Sequence, residues 1–413
     1  MPSVQRFNVV VVGGGAAGFF AAIRCAEANP KATVVILEKS REVLQKVKVS
    51  GGGRCNVTYA CFDPKELVGN YPRGSKALLG PFHHFQPCDT IAWFEAHGVA
   101  LTTAADGRMF PVSNRSQTIV DCLISAAQEA GVKVCTGQDV TDIVSPGTAT
   151  TRWVVKTHAG QIFEAEKLMV ATGSSSRIWS LLQKLGHTIV PPVPSLFTFN
   201  INDARIGHLP GISVPDAQVG ISGTSLEECG PLLITHWGLS GPAILKLSAQ
   251  GARILAGLNY KFQIEVNWLN GLLPGDFDDI VRRTRQAHGK NTLGRQCPFP
   301  LPARLWKSLV EACGIPLNWR WADLQKEQQH QLCGQLLACR FAVGGKSTFK
   351  EEFVTAGGVS LDEVNFRRFE SRIHRGLHLA GEVLDIDALT GGFNFQAAWT
   401  GGWLAGCAMG EEQ

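Results

Sequence analysis

Hydrophobic and polar positions follow two different periods in the N-terminal part of the chain. Residues 7–12 and 33–38 are short apolar runs, whereas residues 16–28 carry small and apolar side chains at helical spacing. Two short apolar runs that flank such a helix are typical of a βαβ unit with parallel strands. Asn29-Pro30 predicts the end of the helix. We therefore expect the chain to begin with the first part of a parallel sheet.

Three clustered prolines within residues 191–194 mark a change in this pattern. Before them, apolar strands alternate with helical periodicity, which is typical of an α/β domain. Clustered prolines form stiff connectors of the kind found at domain boundaries. A β-rich and glycine-rich pattern returns from residue 353. We therefore predict one discontinuous nucleotide-binding domain, residues 1–190 and 351–413, and an inserted domain over residues 191–350.

The inserted domain combines two patterns. Short alternating runs over residues 191–270 and about 339–350 predict a small antiparallel sheet or barrel. Residues 271–338 have helical periodicity, and Pro300 and Pro302 mark the start of one helix. The insertion is thus predicted to be a small β-domain with a helical subdomain.

A glycine-rich turn, Gly13-Gly14-Gly15-Ala16-Ala17-Gly18, joins the first predicted strand to the helix. In a G-x-G-x-x-G turn the first glycine permits the tight turn, the second lets the backbone approach a pyrophosphate, and the third lets helix and strand pack closely. Glu38 ends the second strand, where a carboxylate can accept hydrogen bonds from ribose hydroxyls. We predict an ADP-binding site that comprises Gly13, Gly15, Ala16, Ala17, Gly18, Glu38 and Lys39.

NAD and FAD both carry an ADP group, so this unit alone leaves the cofactor open. FAD is longer, and its isoalloxazine ring must be held by segments remote in sequence. The best candidate is a strand that ends in Gly-Glu, followed by a Gly-Gly turn that opens a helix. Such a helix start offers free N–H groups and a positive dipole end to the electron-rich edge of a reduced flavin. The expected contacts are Gly381, Glu382, Asp385, Gly391, Gly392, Phe393 and Asn394.

Two further segments carry candidate cofactor contacts. Residues 50–58 contain three consecutive glycines followed by an arginine, a combination suited to phosphate, although a plain surface loop is the alternative. The apolar strand over residues 167–171 ends where ligands bind in parallel sheets. The expected contacts from these segments are Gly53, Arg54, Cys55, Asn56, Ala171, Thr172 and Gly173.

The sequence identifies no catalytic residue with certainty, but two weak candidates stand out. Cys55 could relay electrons beside a flavin as a thiolate, and the alternative is a packed, inert thiol. His236 is either a substrate-side proton donor or a structural histidine that holds its turn. His83-His84 has no acidic or cysteine partner at metal-ligand spacing, so no metal site is expected.

Five blocks of the sequence resemble one family. They look like the conserved blocks of the BaiN/YhiN-like family of bacterial flavoproteins, which are NAD(P)/FAD-dependent oxidoreductases. The blocks are residues 13–18, 50–58, 235–242, 354–359 and 381–396. The resemblance covers nearly the whole chain and implies an α/β fold: a Rossmann-like FAD-binding domain of the glutathione-reductase type, interrupted by a small β-barrel-like domain with a helical subdomain. One departure is Phe393, which stands where the family has a tyrosine.

The motifs and the resemblance together predict an FAD-dependent oxidoreductase. NAD(P)H is expected to reduce the flavin, and hydride then passes through flavin N5 to an unsaturated or carbonyl-containing small molecule at the domain interface. The resemblance implies reduction of activated C=C bonds. A second dinucleotide-binding turn is missing, so NAD(P)H would dock transiently. Two other classes stay open, namely an FAD protein in RNA modification and a flavin-binding protein without turnover.

Charge and hydropathy bear on partners and compartment. The formal net charge of +4 is small for 413 residues, so nucleic acid is not an expected partner. Basic residues over 281–285 and at Arg304, Lys307 and Arg320 are diluted by acidic neighbours, namely Asp276, Asp278, Asp279, Asp323 and Glu327. Apolar runs are too short for a signal peptide or a membrane span, so a cytoplasmic protein without membrane contact is expected. No feature points to a particular oligomeric state.

Overall fold

The computed structural model describes residues 4–147, 151–347 and 354–411. Its contacts divide the chain into a larger unit, residues 1–193 with 350–413, and an inserted unit, residues 194–349. These limits lie within three residues of the domain boundaries that the proline cluster and the returning glycine-rich pattern predict.

Both units contain strands and helices, and the inserted unit has three consecutive helices, α11 to α13, between its strands β15 and β16. The strands are β1 Val4–Val12, β2 Val34–Leu37, β3 Thr58–Tyr59, β4 Leu101–Thr103, β5 Arg108–Pro111, β6 Lys133–Cys135, β7 Val140–Val144, β8 Trp153–Thr157, β9 Ile162–Val170, β10 Ile189–Ser195, β11 Thr198–Asn200, β12 Ser213–Ile221, β13 Glu227–Thr235, β14 Gly238–Ser240, β15 Phe262–Asn267, β16 Cys339–Val343, β17 Gly345–Ser347, β18 Val354–Val359, β19 Val364–Asn365, β20 Glu370–Ser371 and β21 Leu377–Leu379. The helices are α1 Ala16–Ala28, α2 Gln45–Gly53, α3 Pro64–Leu67, α4 Ser75–Phe82, α5 Pro87–Ala96, α6 Ser116–Glu129, α7 Ser176–Lys184, α8 Ala204–Gly207, α9 Pro242–Gln250, α10 Ala252–Gly257, α11 Pro274–His288, α12 Ala303–Ala312, α13 Lys326–Leu337 and α14 Phe393–Gly410.

A parallel sheet with the order β21-β9-β1-β2-β6 forms the core of the larger unit. β1 pairs in parallel with β2 on one side and with β9 on the other. Its last four residues are buried, which explains why the sequence shows a continuous apolar run there. The carboxyl ends of these strands meet at one edge of the sheet, and Gly13, Glu38, Ala171 and Ala380 follow them directly. Ligands of parallel sheets bind at this edge.

Glycines bring the last helix against the first. A Cβ atom on Gly402 would lie 2.7 Å from the carbonyl oxygen of Ala17, and one on Gly406 would lie 2.7 Å from that of Ala21. Both glycines lie on one face of α14 because they are four residues apart. The absence of side chains therefore lets α14 pack on the backbone of α1.

The inserted unit contains a sheet with the order β16-β15-β12-β13-β14-β11-β17. β16 and β17 are separated only by Gly344, so the two ends of this order belong to one nearly continuous stretch and the sheet closes into a barrel. Helices α8, α9 and α10 lie within residues 191–270, which the sequence pattern predicts to be β-rich. That prediction was incomplete, because the apolar stripe of α9 (Ala243, Ile244, Leu247) is as short as a strand and packs on the barrel strands.

Neither a membrane-spanning helix nor a metal-binding cluster occurs in the described ranges, residues 4–147, 151–347 and 354–411. No helix there is both long and apolar enough to cross a membrane. In the same ranges, no group of three or more His, Cys, Asp or Glu side chains could hold a metal ion.

Candidate cofactor site

The three glycines of the turn after β1 have three different environments. Gly13 has a φ of 109°, and a Cβ atom there would lie 2.5 Å from the carbonyl oxygen of Ala171. A Cβ atom on Gly18 would overlap the carbonyl oxygen of Gly13. Around Gly15, in contrast, a Cβ atom would meet no described atom within 4 Å. The fold itself requires Gly13 and Gly18, whereas Gly15 faces open space beside the start of α1, where a pyrophosphate fits.

A cavity of about 400 Å³ opens beside this turn. Gly13, Glu38 and Lys39 line it, as the sequence predicts for the ADP group. The Glu38 carboxylate accepts hydrogen bonds from the backbone N–H groups of Gly14 (2.9 Å) and Ser40 (2.8 Å). These bonds fix the orientation of the carboxylate and leave it further lone pairs for ribose hydroxyls. Lys39 is exposed at the rim, and Ala16 and Ala17 form the first turn of α1.

The opposite wall of this cavity is formed by residues that no sequence motif marks. It consists of Gln138, Asp139 and Val140 before and in β7, and of residues 174–178 at the start of α7. Gln138 Oε1 and Thr172 Oγ1 are buried and have no hydrogen-bond partner among the described residues. Buried polar atoms are nearly always satisfied, so these two atoms indicate a polar ligand. No local motif marks residues 138–140, because they join the site only through the tertiary fold.

The glycine-rich segment at 50–58 is a bent helix end rather than an open loop. α2 breaks at residues 50–52, and Gly51, Gly52 and Gly53 have φ values of 58°, 67° and 83°. A Cβ atom on Gly52 or Gly53 would meet nothing within 4 Å, so both stay open for a ligand. The Arg54 guanidinium lies 4.5 Å from the Phe110 ring centroid and donates to the Gly51 carbonyl. Arg54 therefore stacks on an aromatic ring here, with its remaining N–H groups available.

Cys55 and Asn56 follow this bend and are buried. Burial raises the pKa of the Cys55 thiol to about 12, so the thiol stays protonated at neutral pH. This environment suits a packed thiol and opposes the alternative of a thiolate relay. Asn56 Oδ1 is buried without a hydrogen-bond partner in the described residues, and it lies beside the start of α14. An unsatisfied amide oxygen at this place is consistent with a flavin contact.

The Gly381-Glu382 pair follows β21 at the same sheet edge. Gly381 has a φ of 78°, and its Cβ position lies 3.4 Å from Ala17 in the dinucleotide turn. The Glu382 carboxylate forms an ion pair with Lys46, a residue that the sequence analysis does not identify. Glu382 Oε2 also lies 3.4 Å from the Cβ position of Gly173. The structure thus joins the N-terminal turn, the end of β9 and the C-terminal block in one site.

The start of α14 depends on close packing within the protein. Gly391 and Gly392 have φ values of 141° and 93°. A Cβ atom on Gly392 would lie 2.8 Å from the carbonyl oxygen of Thr58 and 2.9 Å from Asn56 Oδ1. A side chain at Gly392 would therefore displace the 56–58 segment as well as any flavin. The Asn394 carboxamide bonds with both the N–H (3.0 Å) and the carbonyl (3.2 Å) of Ala388, so it holds the loop before the helix.

Phe393 and Asp385 are both buried. The Phe393 ring lies 4.7 Å from the Tyr59 ring, centroid to centroid. Phe393 therefore fills a packed position, and its contact with Tyr59 does not need the hydroxyl of the family's tyrosine.

The Asp385 backbone N–H donates to the Val359 carbonyl (3.1 Å), which fixes the 385–391 loop against β18.

Residues 70–74 hold this loop from the other side, and the sequence gives no sign of it. Arg73 and Asp387 form a two-pronged ion pair in which Asp387 is fully buried and Arg73 is 10% exposed. Tyr71 Oη donates to the Phe393 carbonyl (2.6 Å), and the Leu389 N–H donates to the Asn70 carbonyl (2.9 Å). The partners are more than 300 residues apart. Only the tertiary fold brings them together.

His236 is exposed in the turn between β13 and β14 of the inserted unit. Thr235 Oγ1 holds this turn, because it bonds with the Gly238 carbonyl (3.2 Å) and the Trp237 N–H (3.3 Å). The His236 ring makes no hydrogen bond within the described part of the chain. The turn therefore does not depend on His236, which weakens the structural alternative for this residue.

The chain is similar in sequence to known proteins over nearly its whole length. A family profile described as "HI0933-like protein Rossmann domain" matches residues 7–408. The ribosomal RNA dihydrouridine synthase of Escherichia coli is 28% identical, with 98% of each chain covered. The 3-dehydro-bile acid delta(4,6)-reductase of Clostridium scindens is 27% identical, with 98% of this chain and 99% of that protein covered.

A solved structure shows the same fold. The 3-ketosteroid-delta4-(5alpha)-dehydrogenase from Rhodococcus jostii RHA1 has a TM-score of 0.53 at 13% identity, with 99% of this chain and 97% of that chain covered. The predicted BaiN/YhiN-like resemblance, the Rossmann-type FAD-binding fold and the FAD cofactor are thereby confirmed. This chain belongs to the HI0933-like Rossmann family and is an FAD-dependent oxidoreductase.

Proposed function

We propose that this chain is a reductase of carbon–carbon double bonds conjugated with a carbonyl group, with NAD(P)H as its reductant. The observation that carries the proposal is the chemistry shared by two curated relatives that match over nearly their whole length. Dihydrouridine is uridine whose conjugated ring double bond has been reduced. A delta(4,6)-reductase of a 3-dehydro bile acid also reduces double bonds conjugated with a ketone. The common element is an electron-poor alkene.

The residues of the site fit this chemistry. When bound, FAD supplies a hydride through N5 to the carbon β to the carbonyl. The Gly15 turn and Glu38 bind the ADP half, and the start of α14 directs N–H groups and a positive dipole end toward the ring, where negative charge develops on reduction. Reduction of the alkene also requires a proton at the α-carbon.

Two acceptors share this alkene, a free small molecule and a uracil base in RNA. One observation favours RNA. The inserted unit contains 15 Lys and Arg against 11 Asp and Glu, whereas the rest of the chain contains 24 of each. The whole formal net charge of +4 therefore belongs to the inserted unit. This positive charge would attract a polyanionic acceptor such as RNA, whereas binding of a neutral steroid would not require it.

The test uses purified holoprotein under anaerobic conditions. NADH or NADPH is added first, and bleaching of the flavin absorbance identifies the reductant. The reduced protein is then mixed with a 4-ene-3-ketosteroid or with ribosomal RNA from cells that lack the gene. We expect the flavin colour to return together with a product that has gained two hydrogens, detected by mass spectrometry. A flavin that is bleached but reduces neither compound would contradict the proposal.

A further inference from the structure

Exposed cations are concentrated in the helical part of the inserted unit. Residues 280–310 contain seven Lys and Arg side chains and no Asp or Glu. This stretch extends from the second half of α11 over the loop that follows and covers most of α12. We call the exposed cations that follow α11, from Lys290 to Arg320, the basic surface. It consists of Lys290, Arg295, Arg304, Lys307 and Arg320, all of which are exposed.

Two tryptophans hold the loop that carries Lys290 and Arg295. Trp306 Nε1 donates to the Leu293 carbonyl (2.7 Å), and Trp321 Nε1 donates to the Gln296 carbonyl (3.1 Å). The two indoles stack at 6.0 Å, centroid to centroid. The basic loop is thus fixed to a buried aromatic layer, which reduces the entropy lost when its cations bind a partner.

Backbone pairing places the third cation of the loop region beside the first two. Thr292 and Arg320 form an antiparallel bridge, and the Leu293 N–H donates to the Trp319 carbonyl (2.9 Å). Arg320 therefore lies next to the loop between Lys290 and Arg295, although it is 25 residues from Arg295 in sequence.

The acidic residues that dilute this region in the sequence lie mostly elsewhere. Asp276 is in the first turn of α11 and is twelve residues from the end of that helix at His288, a separation of about 18 Å. Asp278 accepts a hydrogen bond from Gln329, and Asp279 pairs with Arg282. Two acidic residues do lie near these cations: Asp323 accepts the backbone N–H of Arg320 (3.3 Å), and Glu311 is exposed one turn after Lys307 on α12. The basic surface therefore keeps a clear positive excess.

The fold gains little from these cations. Arg304 and Lys307 lie near the positive end of α12, where a cation costs about 0.3–1 kcal/mol, and no acidic side chain lies in the first turn. In the described ranges, the side chains of Lys290, Arg295 and Lys307 form no ion pair. Apart from Arg304, which donates a hydrogen bond to the His208 carbonyl (2.8 Å), the fold makes little use of these cations, and such a group is typical of a surface that binds an anion.

We propose that the basic surface binds the sugar-phosphate backbone of RNA. This inference rests on the RNA acceptor of the proposed function and adds where the chain would hold that RNA. Backbone contacts of Lys and Arg position a nucleic acid without reading its sequence. The basic surface would therefore give affinity, and the choice of base would be made at the flavin.

The test compares two charge-reversal variants of the holoprotein. The first is Lys290→Glu/Arg295→Glu/Arg320→Glu, and the control is Lys31→Glu/Lys65→Glu/Lys184→Glu, which makes the same charge change at exposed sites of the larger unit. A fluorescein-labelled RNA hairpin is titrated with each protein at several salt concentrations, and anisotropy is measured. Flavin content and thermal unfolding show whether each variant is folded. Labelled polyglutamate serves as the probe for an acidic polypeptide.

We expect the first variant to bind the hairpin about tenfold or more weakly and to lower the slope of log K against log salt by about 2 to 3, since each lost phosphate contact contributes roughly one. The control should stay close to wild type. Equal losses in both variants would overturn the assignment of this surface, as would equally tight binding of polyglutamate. Failure of wild type to bind RNA would also overturn it, and reduction of the ketosteroid would show separately whether the proposed reaction stands.

Discussion

Replacing Gly15 by alanine should separate cofactor binding from folding. A Cβ atom on Gly15 meets no described atom within 4 Å, and its φ of −95° is open to any residue. The free energy of unfolding without FAD should therefore fall by only about 1 kcal/mol, the typical cost of alanine at an N-cap position. The added methyl group instead occupies the space that the pyrophosphate needs.

The magnitude for FAD follows from the bonds that the pyrophosphate loses. Displacement from the start of α1 weakens one or two hydrogen bonds to a charged group, each of which contributes about 1.5–3 kcal/mol. Each such bond corresponds to a factor of about 10 to 100 in Kd. Gly18→Ala is the matched control, because its Cβ atom would overlap the Gly13 carbonyl and force α1 away from β1. We expect Gly18→Ala to lower the free energy of unfolding by about 1–3 kcal/mol.

Two measurements distinguish the variants. Titration of the deflavinated proteins with FAD, followed by flavin fluorescence, gives Kd. Urea unfolding without FAD gives the stability of the protein itself. If Gly15→Ala bound FAD like wild type, or if it were as unstable as Gly18→Ala, the assignment of this turn to the pyrophosphate would be refuted.

Three further predictions concern buried groups. Asp387→Asn removes the carboxylate that faces the buried Arg73, and urea unfolding should show a free energy of unfolding lower by about 3–5 kcal/mol. The double variant Arg73→Met/Asp387→Leu should recover much of that loss, and full stability of Asp387→Asn would contradict this. Burial lowers the pKa of His378 to about 4 from its ordinary 6.5, so between these pH values the unfolded chain binds more protons than the folded one. The free energy of unfolding should therefore fall by roughly 3 kcal/mol as the pH drops from 6.5 to 4. His378→Gln should flatten this decline in pH-dependent unfolding, and an unchanged profile would refute it. Cys55 should resist iodoacetamide at about pH 8 while the exposed Cys88 reacts, and peptide mass spectrometry would distinguish the two. Rapid alkylation of Cys55 in the folded holoprotein would contradict its burial.

The N-terminal unit could be predicted from the sequence because its signals are local. The apolar runs and the helical spacing correspond to β1, α1 and β2, and the glycine turn lies between them. The C-terminal glycine pairs were predictable for the same reason, since a Gly-Gly turn and a helix are adjacent in sequence. In each case one short segment contains both the structural and the chemical information.

The remaining parts of the site depend on contacts that are remote in sequence. Lys46 pairs with Glu382 across 336 residues, and Arg73 pairs with Asp387 across 314. No spacing rule connects such residues. The role of Gly392 was also only half predicted, because its missing side chain is required by the Thr58 carbonyl as well as by any ligand. Helix α9 was missed because its apolar stripe is short enough to resemble a strand.

The inserted unit begins and ends at neighbouring strands. β11 and β17 pair from Thr198↔Ser347 to Asn200↔Gly345, so its first and last strands lie about 5 Å apart. In the larger unit, β10 and β18 on either side of the insertion also pair with each other. A gene segment with such close ends can be exchanged or removed as a cassette, and a short linker would rejoin the flanking sequence. Evolution can therefore replace the inserted unit as one piece while the larger unit is inherited unchanged.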